Sequence, residues 1–172
     1  MFGMTSIRSD KQFLPQRNSI RESEMEQRLI HKWIPVENDT GIPYYFPEQR
    51  SLLFYDQWSV PAIYRWGVFN KQSNTFKQIY IGEAINLYER IKGYINPGPS
   101  QGTNQRLNSL FHEEIAQGNR VVLEALTFEP FQIDGVIIAE ENLCEIAVRR
   151  YLENRFIIYF AKNGYTILNA HI

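Results

Sequence analysis

The stretch that decides the fold runs Ala62-Ile-Tyr64-Arg-Trp-Gly-Val-Phe69, breaks over polar residues 70–74, and resumes as Phe76-Lys77-Gln-Ile-Tyr80-Ile-Gly82. It continues Glu83-Ala-Ile-Asn-Leu-Tyr-Glu-Arg90-Ile-Lys-Gly-Tyr94 and halts at Asn96-Pro97-Gly98-Pro99. Two runs rich in aromatic and β-branched residues around a polar turn predict a β-hairpin. Gly82 is expected to end it, and residues 84–94 to form a helix stopped by the Pro/Gly loop. Pairing of the two strands sets Tyr64 and Tyr80 on one surface, and a tight turn at Gly82 brings Arg90 beside them. Two phenols and a guanidinium then meet. Arginine offers a fixed fork of donors for a phosphate, and a phenol near a cation can have its pKa lowered enough to accept a proton.

Downstream, Thr103 or Asn104 can cap a helix through Leu107, Leu110, Phe111 and Ile115 that ends at Gly118. Residues 121–128 predict a strand, and residues 130–135 a loop. Residues 139–162 predict a helix with Asn163-Gly164 as its stop, and 165–168 a last short strand. The order ββααβαβ predicts an α+β fold, with a small three-stranded mixed or antiparallel sheet flanked by helices. Upstream, residues 1–18 have no periodicity and suggest a loose arm. Met25, Leu29 and Trp33, four apart, predict a short amphipathic helix over 19–33. Residues 34–60, with Pro35, Pro43 and Pro47 among aromatics, suggest an extended, packed connector. The expected division is an N-terminal extension, 1–60, and a domain over 61–172.

With 172 residues, 44% of them hydrophobic, the chain can bury one sizeable core. Its net charge of −1 removes any case for nucleic-acid binding from bulk charge. The charge is uneven, however: residues 61–110 hold six Lys/Arg against two Asp/Glu, which is where an anion would most favourably sit. No apolar stretch approaches the roughly 20 residues of a membrane helix, and no apolar signal core follows Met1, so a cytoplasmic protein without membrane contact is expected. One cysteine, Cys144, and three scattered histidines, His31, His112 and His171, supply neither an internal disulfide nor zinc spacing. Gly-rich phosphate loops, nucleophile elbows and CxxC pairs are absent.

The ordered residues Ala62-Ile63-Tyr64, Tyr80-Ile81-Gly82, Arg90 and Tyr94 resemble the GIY-YIG nuclease superfamily over about residues 62–172, with Ala62 where the family usually has Gly. The resemblance implies a metal-dependent endonuclease. In the excision-repair incision nucleases of that family, the helix after the third strand carries two glutamates five apart, the second of them binding metal. Glu140 and Glu145 have that spacing, so the resemblance assigns the metal to Glu145, with Glu141 and Glu153 as competing choices. The family's Asn near the last strand falls on Asn169, with Asn154 second.

Hydrolysis of a phosphodiester needs an activated water, counter-charge for the transition state, and help for the departing oxygen. The expected roles follow: Tyr64 as general base, Arg90 on the scissile phosphate, Glu145 holding one Mg²⁺ (Mn²⁺ substituting), and Tyr80 and Tyr94 orienting water and phosphate. Lys77, Asn104, Arg106 and Asn169 are candidates for substrate contact. The expected substrate is double-stranded DNA, cut by a restriction or defence enzyme for which a homodimer on a two-fold symmetric site is natural. The alternatives are a binding module without turnover, or a nuclease of single-stranded DNA or RNA.

Overall fold

Strand β2 (Ala62–Asn70) is buried over its first seven residues, because both of its faces are covered. The computed structural model describes residues 29–48, 52–73 and 75–169. The other elements are β1 (His31–Pro35), α1 (Leu52–Trp58), β3 (Thr75–Ala84), α2 (Leu87–Ile95), α3 (Gly102–Ala116), β4 (Arg120–Phe128), β5 (Phe131–Ile133), β6 (Val136–Ile138), a 3₁₀ helix (Glu140–Cys144), α4 (Ile146–Lys162) and β7 (Thr166–Ile167). The main sheet has the order β1-β4-β2-β3-β7, with β3 and β7 parallel and the other pairs antiparallel.

Period-two alternation sorts the strand residues into two cores. Tyr64, Trp66 and Val68 of β2, with Val121, Leu123 and Ala125 of β4, pack against Leu87, Ile91 and Tyr94 of α2 and Leu107 and Phe111 of α3. On the opposite face Ile63, Ile79, Ile81, Leu126 and Phe128 meet Val148, Leu152, Phe156 and Phe160 of α4. The fold is therefore α+β, as expected, with the hairpin and the order of the main elements from Ala62 in place.

Several expectations are corrected. The sheet has five strands rather than three, because β1, from the expected N-terminal extension, adds to one edge and the expected last short strand, β7, to the other. Residues 31–33 are not helical: in β1, Trp33 pairs opposite Leu126 of β4, and its ring and that of His31 pack edge-to-face with Phe156 of α4. Burial of alternate residues against α4 outweighs the four-residue spacing that ended at Trp33. Leu29 and Ile30 are not helical either, and residues 19–28 of that expected helix, with the arm over 1–18, lie outside the described residues. The connector contains a short helix, α1, whose Phe54 and Trp58 enter the first core.

The expected loop at 130–135 is part of a second hairpin, β5–β6, turned by Asp134 and Gly135 at φ 47° and 83°. The helix expected over 139–162 breaks at Glu145, whose extended backbone (φ −87°, ψ 124°) separates the 3₁₀ helix from α4. Among the described residues, no helix is long and apolar enough to cross a membrane.

Candidate active site

Register explains how the tyrosines come together. Tyr64 stands opposite Gly82 and Trp66 opposite Tyr80, so Tyr64 and Tyr80 share a face of the β2–β3 pair. Gly82 does not end β3, which continues to Ala84. It is instead the floor under the Tyr64 ring, where a Cβ would overlap the phenol.

Beyond β3, the Asn86 side chain accepts the Glu89 amide at 3.0 Å and starts α2 later than expected, at Leu87. Arg90 and Tyr94 are four apart on α2 and so share a face. The Arg90 Nε donates to the Tyr64 hydroxyl at 3.0 Å, and its guanidinium lies 4.7 Å from the centre of the Tyr94 ring. The Tyr64 and Tyr94 hydroxyls are 2.6 Å apart. The Tyr80 ring packs edge-on against Tyr94 at 5.9 Å.

These groups back a cleft of about 600 Å³ between the end of β3, α2 and the start of α4. Tyr80, Glu83, Glu89, Arg90, Arg149, Arg150 and Glu153 line it. Tyr64, 1% exposed, and Tyr94, fully buried, lie behind it, leaving Tyr80 as the member of the tyrosine trio that faces it. Burial, helped by Tyr80, pushes the Tyr64 phenol well above the ordinary tyrosine range, outweighing the opposing pull of Arg90. Burial likewise raises Tyr94. Burial opposes the charge of Arg90, but its contacts with Tyr64 and Tyr94 outweigh that, so it stays cationic.

Three arginines and three glutamates face one another across this cleft. The Arg149 Nε grips Glu83 at 2.5 Å. Half-buried Glu153 has its pKa raised by burial and then by the Glu83 charge, against the pull of Arg90 and Arg150.

The carboxylate taken from the five-residue spacing lies elsewhere. Glu145 is exposed at the break before α4, accepts the Asn142 amide at 3.2 Å, and does not line the cleft. Glu140 accepts the Phe128 amide at 3.0 Å, and Glu141 sits on the exposed 3₁₀ helix. The competing choice, Glu153, is the one that α4 carries to the cleft.

The expected substrate contacts are spread over the molecule. Lys77 is paired with buried Glu114 at 3.0 Å. Arg106 donates to the Leu168 carbonyl at 2.6 Å, and Asn104, buried within α3, donates to Gln101. Asn169 exchanges two hydrogen bonds with the Ile81 backbone, at 3.0 and 2.7 Å, continuing the β3–β7 pairing through a side chain.

Sequence reasoning passed over Glu83, Arg149 and Arg150. The signals present were the carboxylate directly after Tyr80-Ile-Gly82 and the arginine one helical turn before Glu153.

Among the described residues, no three His, Cys, Asp or Glu side chains gather as a ready metal cage. Glu153 is nevertheless a donor of the kind Mg²⁺ accepts, a carboxylate with water completing the octahedron, and the cleft has room for that water. No protein-family model, curated protein or solved structure matches the chain.

Proposed function

We propose that this protein is a Mg²⁺-dependent endonuclease of the GIY-YIG type that hydrolyses phosphodiester bonds in double-stranded DNA. The observation that carries the reading is the cluster in which Arg90 holds the Tyr64 hydroxyl at the wall of a cleft also lined by Tyr80 and Glu153.

Each residue takes a role set by its position. Arg90, kept cationic and oriented by Tyr64 and the Tyr94 ring, presents its remaining N–H groups to a phosphate oxygen. Tyr64 and Tyr94, protonated and buried, act as holders of that guanidinium. Tyr80, the tyrosine of the three that borders the cleft, is the one to meet the attacking water, in place of the Tyr64 expected from the chemistry of the reaction. Glu153 would take the metal in place of Glu145, and Mg²⁺ there would supply counter-charge to the departing oxygen.

The test is incubation of supercoiled plasmid with Mg²⁺ or Mn²⁺ and with EDTA. Metal-dependent nicks or discrete fragments support the reading. Retention of DNA with no cleavage of duplex, single strands or RNA would replace it with a binding module.

A further inference from the structure

Arg149 is 5% exposed and spans three parts of the fold. Its Nε donates to Glu83 at 2.5 Å, and one terminal nitrogen donates to the carbonyls of Leu143 at 2.7 Å and Cys144 at 3.0 Å. A buried guanidinium is costly unless its donors are engaged, and here Nε is engaged by β3 on one side and one terminal nitrogen by the end of the 3₁₀ helix on the other. Val148, Leu152, Phe156 and Phe160 give α4 an apolar packing face on the sheet. Such contacts set a separation without a direction, whereas the planar fork of an arginine fixes both.

From these contacts we infer that Arg149 is a positioning residue: by tying α4 to Glu83 and to the 3₁₀ helix, it sets where Glu153 stands in the cleft relative to Arg90. Glu153 lies one helical turn beyond Arg149, so rotation or sliding of α4 moves the two together. Glu83 directly follows Tyr80-Ile-Gly82, so the grip references Glu153 to the strand that carries Tyr80. Arg149 also neutralises Glu83, which would otherwise stand as a second free carboxylate beside Glu153. The inference rests on the proposed nuclease function and adds to it a residue that acts through Glu83 and Glu153.

The test uses the full chain as R149K, R149Q, E83Q and E83Q/R149Q. Mn²⁺ binding without DNA is read from the free-ion EPR signal, and plasmid nicking is titrated with Mg²⁺. Melting curves report folding, and R149K retains the buried charge should R149Q fail to fold. R149K is expected to weaken Mn²⁺ binding and raise the half-saturating Mg²⁺ by about tenfold or more, the scale of losing a group that orients a metal ligand. DNA binding in EDTA should change less than about twofold, and E83Q/R149Q should be no worse than R149Q, since both remove the same link. Wild-type metal binding and metal requirement in R149K, or additive losses in the double variant, would overturn the inference while leaving the nuclease reading intact. A wild type that neither binds Mn²⁺ nor cuts DNA would overturn both.

Discussion

The hydroxyl oxygens of Tyr64 and Tyr94, thirty residues apart in the chain, stand 2.6 Å from each other beneath the cleft. The first belongs to the central strand and the second to the helix that follows its partner strand, so this contact links α2 to the sheet. Arg90 completes the unit by donating to the same Tyr64 oxygen. A buried hydroxyl that loses its partners costs about 1–3 kcal/mol, so the trio has a stability signature as well as a chemical one.

Alkaline pH should expose that signature. Tyr64 and Tyr94 hold their protons in the native state above the ordinary value of 10.0, whereas the unfolded chain releases them there. Their contribution is therefore intact below that value and is lost as the pH rises through and beyond it. Urea midpoints measured across this range should fall for the wild type, and Tyr64→Phe should flatten the fall by about one proton's worth of slope. Parallel curves would mean that Tyr64 titrates normally in the native state.

Arg90→Lys is expected to be nearly as inactive as Arg90→Ala. Lysine keeps the charge but cannot hold Tyr64 and present a second N–H in a fixed plane. Loss of a donor aimed at transition-state charge predicts about a 100-fold or greater fall in nicking rate, with the larger part in kcat. Full activity in the Lys variant would show that only a diffuse positive charge is needed.

Gly82→Ala should destabilise the fold by about 1–3 kcal/mol, the usual cost of an added methyl group in a packed site. Its Cβ would meet the Tyr64 phenol, so the ring must move away from Arg90. Denaturation and nicking should fall together, and unchanged nicking in a destabilised variant would detach the ring's position from activity.

Asn169→Ala separates a structural role from a substrate contact. Loss of both bonds to the Ile81 backbone predicts about 1–2 kcal/mol of destabilisation, with KM for DNA unchanged in the folded fraction. A raised KM at unchanged stability would restore the residue to the substrate.

How much was legible in the sequence follows from the range of the interactions. The hairpin, α2 and α3 were legible because their apolar periods and stop signals are local, and Tyr64, Tyr80, Arg90 and Tyr94 were legible as a group because they ride on those elements. The strand at Trp33 was not, since its conformation is fixed by pairing with β4 nearly a hundred residues away. Placing the cleft carboxylate required knowing that the chain breaks at Glu145, a break set by how the 3₁₀ helix and Arg149 pack rather than by a proline or glycine. With that break, the five-residue spacing of Glu140 and Glu145 no longer sits on one helix, and Glu153 takes the cleft instead.

Glu153→Gln and Glu145→Gln, compared side by side for Mg²⁺-dependent nicking of supercoiled plasmid, test the central claim most directly. The amide keeps the size of the side chain and removes its charge, so both variants should fold. Glu153→Gln is expected to lose about 100-fold or more of the activity, the scale on which a group stabilising transition-state charge acts, while Glu145→Gln cuts like the wild type. The reverse pattern, or full activity in Glu153→Gln, would contradict the account and move the chemistry out of this cleft.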